Sequence, residues 1–164
     1  MENAAAVAET TEILTPTPAT IDRAAQALRR GDLVAFATET VYGLGADATN
    51  PQAIAGLYAA KGRPRFNPLI AHIADDSGFV DIAVPDSRAD LLAETLWPGP
   101  LTLVLPHREK GPVCDLARAG LSTIAVRMPA HPIARALITA TGRPIAAPSA
   151  NKSGHVSATA VSHV

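Results

Sequence analysis

The chain has 164 residues with 14 Lys plus Arg against 15 Asp plus Glu, a formal net charge of −1, which excludes a globally basic coater of nucleic acid. Hydrophobic residues make up 48% and charged residues 18%, far from the profile of a disordered chain and enough for the core of one domain. With 14 Pro, 11 Gly and 4% aromatics, long bundles and coiled coils are excluded in favour of many short elements packed on Ala, Val, Leu and Ile.

Residues 1–19 carry Glu2, Glu9 and Glu12 with no Lys or Arg, the wrong charge for a signal or transit peptide, and read as a flexible tail closed by Pro16 and Pro18. The domain is expected over residues 20–164. Thr20 caps a helix over Ile21 to Arg30, with Ala24, Ala25 and Leu28 at helical spacing and Gly31 as its stop. Leu33 to Ala37 is a short apolar run suited to a covered strand, and the chain then turns through Thr38-Glu39-Thr40-Val41-Tyr42-Gly43-Leu44-Gly45. Asn50 and Pro51 start a second helix that ends at Gly62. Leu69 to Ile73 is a strand, Ser87 to Leu96 a helix capped by Asp86, and Trp97-Pro98-Gly99-Pro100 a turn. Leu101 to Leu105 and Thr123 to Met128 are strands, His131 and Pro132 open a helix that stops at Gly142, and Ile145 to Ala147 is a last short strand. Helices alternating with short apolar strands predict an α/β domain with a largely covered sheet.

Cys114 is the only cysteine, so the chain offers no internal disulfide and no thiolate metal cage, which fits a reducing, cytoplasmic setting. No apolar run approaches the roughly 20 residues needed to span a bilayer, and no membrane role is expected. Charge is unevenly spread. After Asp115 come Arg118, Arg127, Arg135, Arg143 and Lys152 with no acid among them, and the acid-free stretch from Lys61 to Ala74 holds Lys61, Arg63, Arg65 and His72. These are either solvated surface charges or, where the segments meet, a site for an anion.

The polar string after the first strand lies where open α/β sheets bind ligands, beyond a strand's carboxyl end. Gly43 and Gly45 there provide either positive φ or close backbone approach, and the string is neither a dinucleotide-binding nor a P-loop glycine pattern. Lys61 continues the Ile54, Leu57, Tyr58 stripe toward the core side, either as a snorkelling residue at a helix C-terminus or, with Arg63, as a cationic clamp. Ser149 and Asn151 follow the last strand and face one way in extended chain, as a phosphate or ribose site or as an ordinary turn. His72 and Arg127 sit at strand ends, the histidine a satisfied structural residue or a ligand. No His, Cys or Asp grouping has metal spacing, and there is no serine-hydrolase elbow.

Taken together, Thr38-Glu39-Thr40-Val41-Tyr42-Gly43-Leu44-Gly45-Ala46-Asp47-Ala48, Lys61-Gly62-Arg63 with Asn67-Pro68-Leu69 and His72, Trp97-Pro98-Gly99-Pro100-Leu101-Thr102, Val126-Arg127-Met128-Pro129, and Pro148-Ser149-Ala150-Asn151 with Ser153-Gly154 closely resemble the YrdC-like family, the threonylcarbamoyl-AMP synthases. The resemblance runs from about Ile21 to the chain end. It implies a twisted, open, mixed sheet with flanking helices and a concave basic cavity. It also implies a nucleotidyltransferase that joins L-threonine, bicarbonate and ATP, with Mg²⁺ arriving on the ATP, into threonylcarbamoyl-adenylate and pyrophosphate. The product would feed N6-threonylcarbamoyladenosine formation by a tRNA-modifying transferase complex, with a weak contact to tRNA. By matched position, Lys61, Arg63, Ser149 and Asn151 are the catalytic set. Thr40, His72, Arg127 and the backbone at Ala147 hold threonine, with Arg127 bidentate on its carboxylate, and Asn67, Thr123 and Ser157 join Arg63 and Ser149 on ATP. Ala37 and Ala158 depart from the family's usual Pro. Catalytic domains of the family continue past the point matching Val164, so the resemblance implies a domain truncated at its C-terminal end. Two other readings are a carbamoyl-adenylate-forming enzyme and an RNA-binding module of the same fold, the latter expected to bind RNA in a salt-dependent way without ATP turnover.

Overall fold

The structure, a computed structural model, describes residues 11–164; the expected tail falls largely on residues 1–10, outside the described residues. Pro18 and Ala19, placed in the tail by sequence, belong instead to helix α1 (Pro18–Arg30), because Thr17 rather than Thr20 is the cap. Thr17 and Thr20 form a reciprocal capping box, with Pro18 at the first turn, where its missing N–H costs nothing. Strand β1 (Val34–Phe36) pairs antiparallel with β2 (Gly43–Asp47), so the expected turn is confined to residues 38–42 and its second half is a strand. Glycine-rich and lacking alternation, β2 has no period-2 signal to announce it.

Helix α2 (Pro51–Lys61) has Asn50 as N-cap and Gly62, at φ 59°, as C-cap. It is followed by β3 (Ile70–His72) and by α3 (Asp76–Ile82), a short helix capped by Asp75 that sequence reading missed. Next come α4 (Ser87–Leu96), capped by Asp86, and the cis bond Trp97-Pro98. The chain continues through β4 (Leu103–Pro106), β5 (Thr123–Arg127), α5 (Pro132–Thr141) and β6 (Ile145–Ala146). After β6 the described chain forms one further element, a single 3₁₀ turn over Val161–His163.

Among the described residues six strands form one open sheet in the order β1-β2-β6-β3-β5-β4. Only β3 and β5 are parallel, and the other pairs are antiparallel, giving the mixed α/β sheet expected. Strand alternation sorts the core onto two faces. On one face Ala46, Ala146, Ala71, Val126 and Leu103 pack under α2, α3 and α4. On the other, Phe36, Ile145 and Ala147 pack under α1 and α5. That second cover reaches only β1, β2 and β6. Across β3, β5 and β4 the same face carries Ile70, Ala125 and Thr123, all partly exposed, and Val104 at 65% exposure. The expectation of a largely covered sheet is therefore corrected: one face is covered throughout and the other only at one end.

Gly43 and Gly45 do not use positive φ. A Cβ on Gly45 would lie 2.8 Å from Phe36 Cε1 and 3.0 Å from Ile145 Cγ2, so its role is close packing beneath α1 and α5 rather than contact with a ligand.

Candidate active site

The catalytic set expected from sequence comes together at one end of the sheet. Lys61, Arg63, Ser149 and Asn151 line a cavity of about 500 Å³ with Gly62, Pro64, Asn67, Ser153 and Gly154. Lys61 is placed there by the α2 stripe that buries Ile54, Leu57 and Tyr58, and it is only 4% exposed. Its ammonium does not meet the side chains of Ser149 and Asn151 but donates to their backbone carbonyls. Burial, then the neighbouring Arg63 charge, lowers the Lys61 pKa from its ordinary value. The two carbonyl acceptors offset part of the cost of holding that charge out of water.

Gly62 in the left-handed region turns the chain so that Arg63 reaches the same cavity. Arg63 is braced by Nε donating to Asn67 O at 3.2 Å and a terminal nitrogen donating to Pro68 O at 2.9 Å. Asn67 O also accepts from the Tyr58 hydroxyl at 2.9 Å, so Asn67 first serves as a backbone brace for the clamp. The Ser149 hydroxyl has no partner among the described residues, and Asn151 Oδ1 is buried without one while its amide nitrogen donates to the carbonyls of Lys152 and His155. No acidic side chain lines the cavity.

A second group forms on the open sheet face. His72 and Arg127 are register partners at the ends of β3 and β5. His72 is 2% exposed, and burial first, then the Arg127 charge, brings its pKa down to about 4. It therefore stays neutral near pH 7, with Nδ1 3.2 Å from Ile70 O. Arg127, 8% exposed, donates from Nε to Gly99 O at 3.2 Å and from one terminal nitrogen to Glu39 Oε1 at 2.7 Å and Thr40 Oγ1 at 3.2 Å. Its other terminal nitrogen has no hydrogen-bond partner among the described residues. Ala147 shares the face, and its N–H is already given to Ile70 O at 3.1 Å.

Thr123 stands four residues before Arg127 on the same face of β5, about 13 Å away at roughly 3.3 Å per residue. Ser157 is not among the lining residues of the cavity; its neighbour Ala158 accepts from Tyr42 N at 2.8 Å, which ties the 150–158 segment back against the 38–42 loop. Of the cations in the acid-free stretch after Asp115, three are paired: Arg118 locally with Asp115, and Arg143 with Asp47 and Arg127 with Glu39 through the fold. The expected pool of free positive charge is accordingly smaller than the sequence suggests. Sequence reasoning gave no role to Glu39 or to the Gly99 carbonyl, since a pairing across 88 residues leaves no local signal.

The Sua5_yciO_yrdC family, described as "Telomere recombination", matches residues 26–164. The chain is 50% identical over 157 residues to a threonylcarbamoyl-AMP synthase of Bacillus subtilis, covering 95% of this chain and 45% of that protein. It is 40% identical to one of Halorhodospira halophila, covering 90% of this chain and 76% of the relative. The crystal structure of P. abyssi Sua5 complexed with L-threonine superposes with a TM-score of 0.87 at 50% identity, covering 92% of this chain and 44% of that one. The chain thus spans less than half the length of the Bacillus and Pyrococcus relatives. With a family model matching residues 26–164 and relatives 40% and 50% identical, this protein belongs to the Sua5_yciO_yrdC family.

Proposed function

We propose that the chain is the catalytic unit of a threonylcarbamoyl-AMP synthase, a nucleotidyltransferase taking L-threonine, bicarbonate and ATP. The observation that carries it is the cavity holding Lys61 and Arg63 without an acidic neighbour, beside a sheet face that holds Arg127. The Bacillus and Halorhodospira relatives bear that enzyme's name, and the Pyrococcus structure is one complexed with L-threonine.

In the reaction the threonine nitrogen bonds to the bicarbonate carbon as water leaves, giving a carbamate. A carbamate oxygen then bonds to the α-phosphorus of ATP as the bond to pyrophosphate breaks. Carboxylated threonine is a dianion approaching a polyanion, so charge repulsion and alignment dominate the barrier. Lys61 and Arg63 stabilise charge on the transferring phosphoryl group, and the Ser149 hydroxyl and Asn151 Oδ1 orient the nucleotide's polar groups. The unpartnered nitrogen of Arg127 and the Thr40 hydroxyl receive the threonine carboxylate, with neutral His72 below and Ala147 beside them. Asn67, Thr123 and Ser157 join Arg63 and Ser149 in contacting ATP. In this reading Mg²⁺ enters as part of the ATP complex.

The adenylate is consumed by a transferase complex that modifies tRNA, in the cytoplasm, with weak tRNA contact by this chain. No described helix is long and apolar enough to cross a membrane.

The test is incubation of the chain with ATP, Mg²⁺, bicarbonate and L-threonine, following pyrophosphate and the adenylate by mass spectrometry, with Lys61→Ala as control. A threonine-dependent adenylate absent from the control supports the reading. A folded chain that binds neither ATP nor threonine would overturn it.

A further inference from the structure

The loop over residues 38–42 is closed on itself by Thr38. Its hydroxyl accepts from the N–H groups of Thr40 and Val41, both at 3.2 Å, and donates to Val41 O at 2.6 Å. The loop is also pinned from the far side, since Tyr42 N donates to Ala158 O and Ala150 N to Tyr42 O, both at 2.8 Å. This fixed loop turns the Glu39 carboxylate onto Arg127 from one side, while the Gly99 carbonyl meets Nε from another. The free terminal nitrogen of Arg127 therefore has one direction left.

We propose that Glu39 is a positioning residue for carboxylate recognition: by holding one edge of the Arg127 guanidinium it aims the remaining terminal nitrogen at the carboxylate of the amino-acid substrate. The proposal rests on the threonine-adenylating reading above. Two other roles fit the contacts less well. A carboxylate merely occupying the ligand's place would take both terminal nitrogens in a fork, the favoured carboxylate geometry, whereas Glu39 takes one and leaves the other open. A proton acceptor for the substrate amine needs a raised basicity. Burial does push the Glu39 pKa up, but hydrogen bonds from Arg127 and from the N–H groups of Glu39 and Ala130 outweigh it and leave it below its ordinary value. Glu39 is thus a fixed anion suited to hold a cation in a partly buried place.

The test compares wild type, Glu39→Gln and Glu39→Ala for L-threonine and ATP binding by calorimetry, for KM and kcat in adenylate formation, and for Tm. Gln keeps an oxygen acceptor for Arg127 without the charge, and Ala removes both. The expected result is a KM for L-threonine raised roughly 10- to 100-fold in Ala and less in Gln, from the loss of one charge-assisted hydrogen bond's worth of orientation. The KM for ATP and, in Gln, the Tm stay near wild type. Where the Ala variant does not fold, Gln decides alone. Unchanged threonine binding in Gln overturns the proposal, and tighter binding overturns it in favour of Glu39 occupying the ligand's place. A parallel fall in ATP affinity and Tm overturns it in favour of a purely structural role. Wild-type chain that binds no threonine overturns the underlying functional reading and this proposal with it, a result visible without any variant.

Discussion

His72 and Arg127 stand directly opposite each other as the last residues of two parallel strands, a neutral imidazole beside a guanidinium on the open face of the sheet. Both are buried, and only Arg127 has a carboxylate partner. This pairing explains why the imidazole cannot share its neighbour's charge: a second cation there would meet both desolvation and repulsion.

Acid should therefore loosen the fold through His72. Its pKa is about 4 in the fold against 6.5 ordinarily. Above about pH 6.5 both folded and unfolded chains leave it neutral, so it contributes nothing to pH dependence. Between there and pH 4 the unfolded chain binds a proton that the fold refuses, and stability falls as pH falls, by roughly 3 kcal/mol at the lower end. Denaturant midpoints measured between pH 7 and 4.5 should drop in wild type and drop less in His72→Gln. Equal slopes would refute the assignment.

Removing Lys61 should cost turnover far more than fold. Lys61→Met frees the carbonyls of Ser149 and Asn151 and removes the buried cation of the cavity. The expectation is a fall in adenylate formation of roughly 100-fold or more, as when a preorganised electrostatic group is lost. Tm should fall by only a few degrees, because the unpaired carbonyls lie at a wettable cavity edge. Steady-state rates and a thermal melt on the same sample decide it.

Asp47 is fully buried, accepts from Thr49 N at 2.9 Å and Thr49 Oγ1 at 2.7 Å, and pairs with Arg143 at 2.6 Å. Asp47→Ala should destabilise the chain by about 2 kcal/mol, since it removes a buried acceptor and leaves its partly buried donors without one. Arg143→Ala, at a half-exposed partner, should cost the fold less than Asp47→Ala does. Equal losses in chemical denaturation would contradict this order.

Gly45→Ala should be destabilising although Ala is the better-ordered residue in most settings. The added methyl would meet Phe36 and Ile145 within about 3 Å, with Val34 O at 3.2 Å, and overpacking of this kind costs about 1–3 kcal/mol. Gly45→Ala with Phe36→Leu should recover part of the loss, read as Tm.

Much of the chain's local structure was legible because local rules govern it. Asn50, Asp86 and His131 cap helices as their side-chain chemistry predicts, and Gly31, Gly62 and Gly142 end them at positive φ. The inward direction of Lys61 followed from helical spacing alone, and Lys61, Arg63, Asn67, Ser149 and Asn151 line one cavity. Strand β2 and helix α3 were not legible, since a glycine-rich strand lacks alternation and a helix of 7 residues lacks a stripe.

What the sequence by itself determined is most of the elements, several of their caps, and the family to which the ordered motifs point, because elements and caps depend on residues within a turn or two of one another. Only the tertiary structure decided which charges are free. Arg127 and Arg143 share one acid-free stretch, yet the fold brings each a carboxylate, from 88 and 96 residues away, and leaves Lys61 and Arg63 without one among the described residues. Ion pairing depends on distance in space, and strand order in the sheet sets that distance.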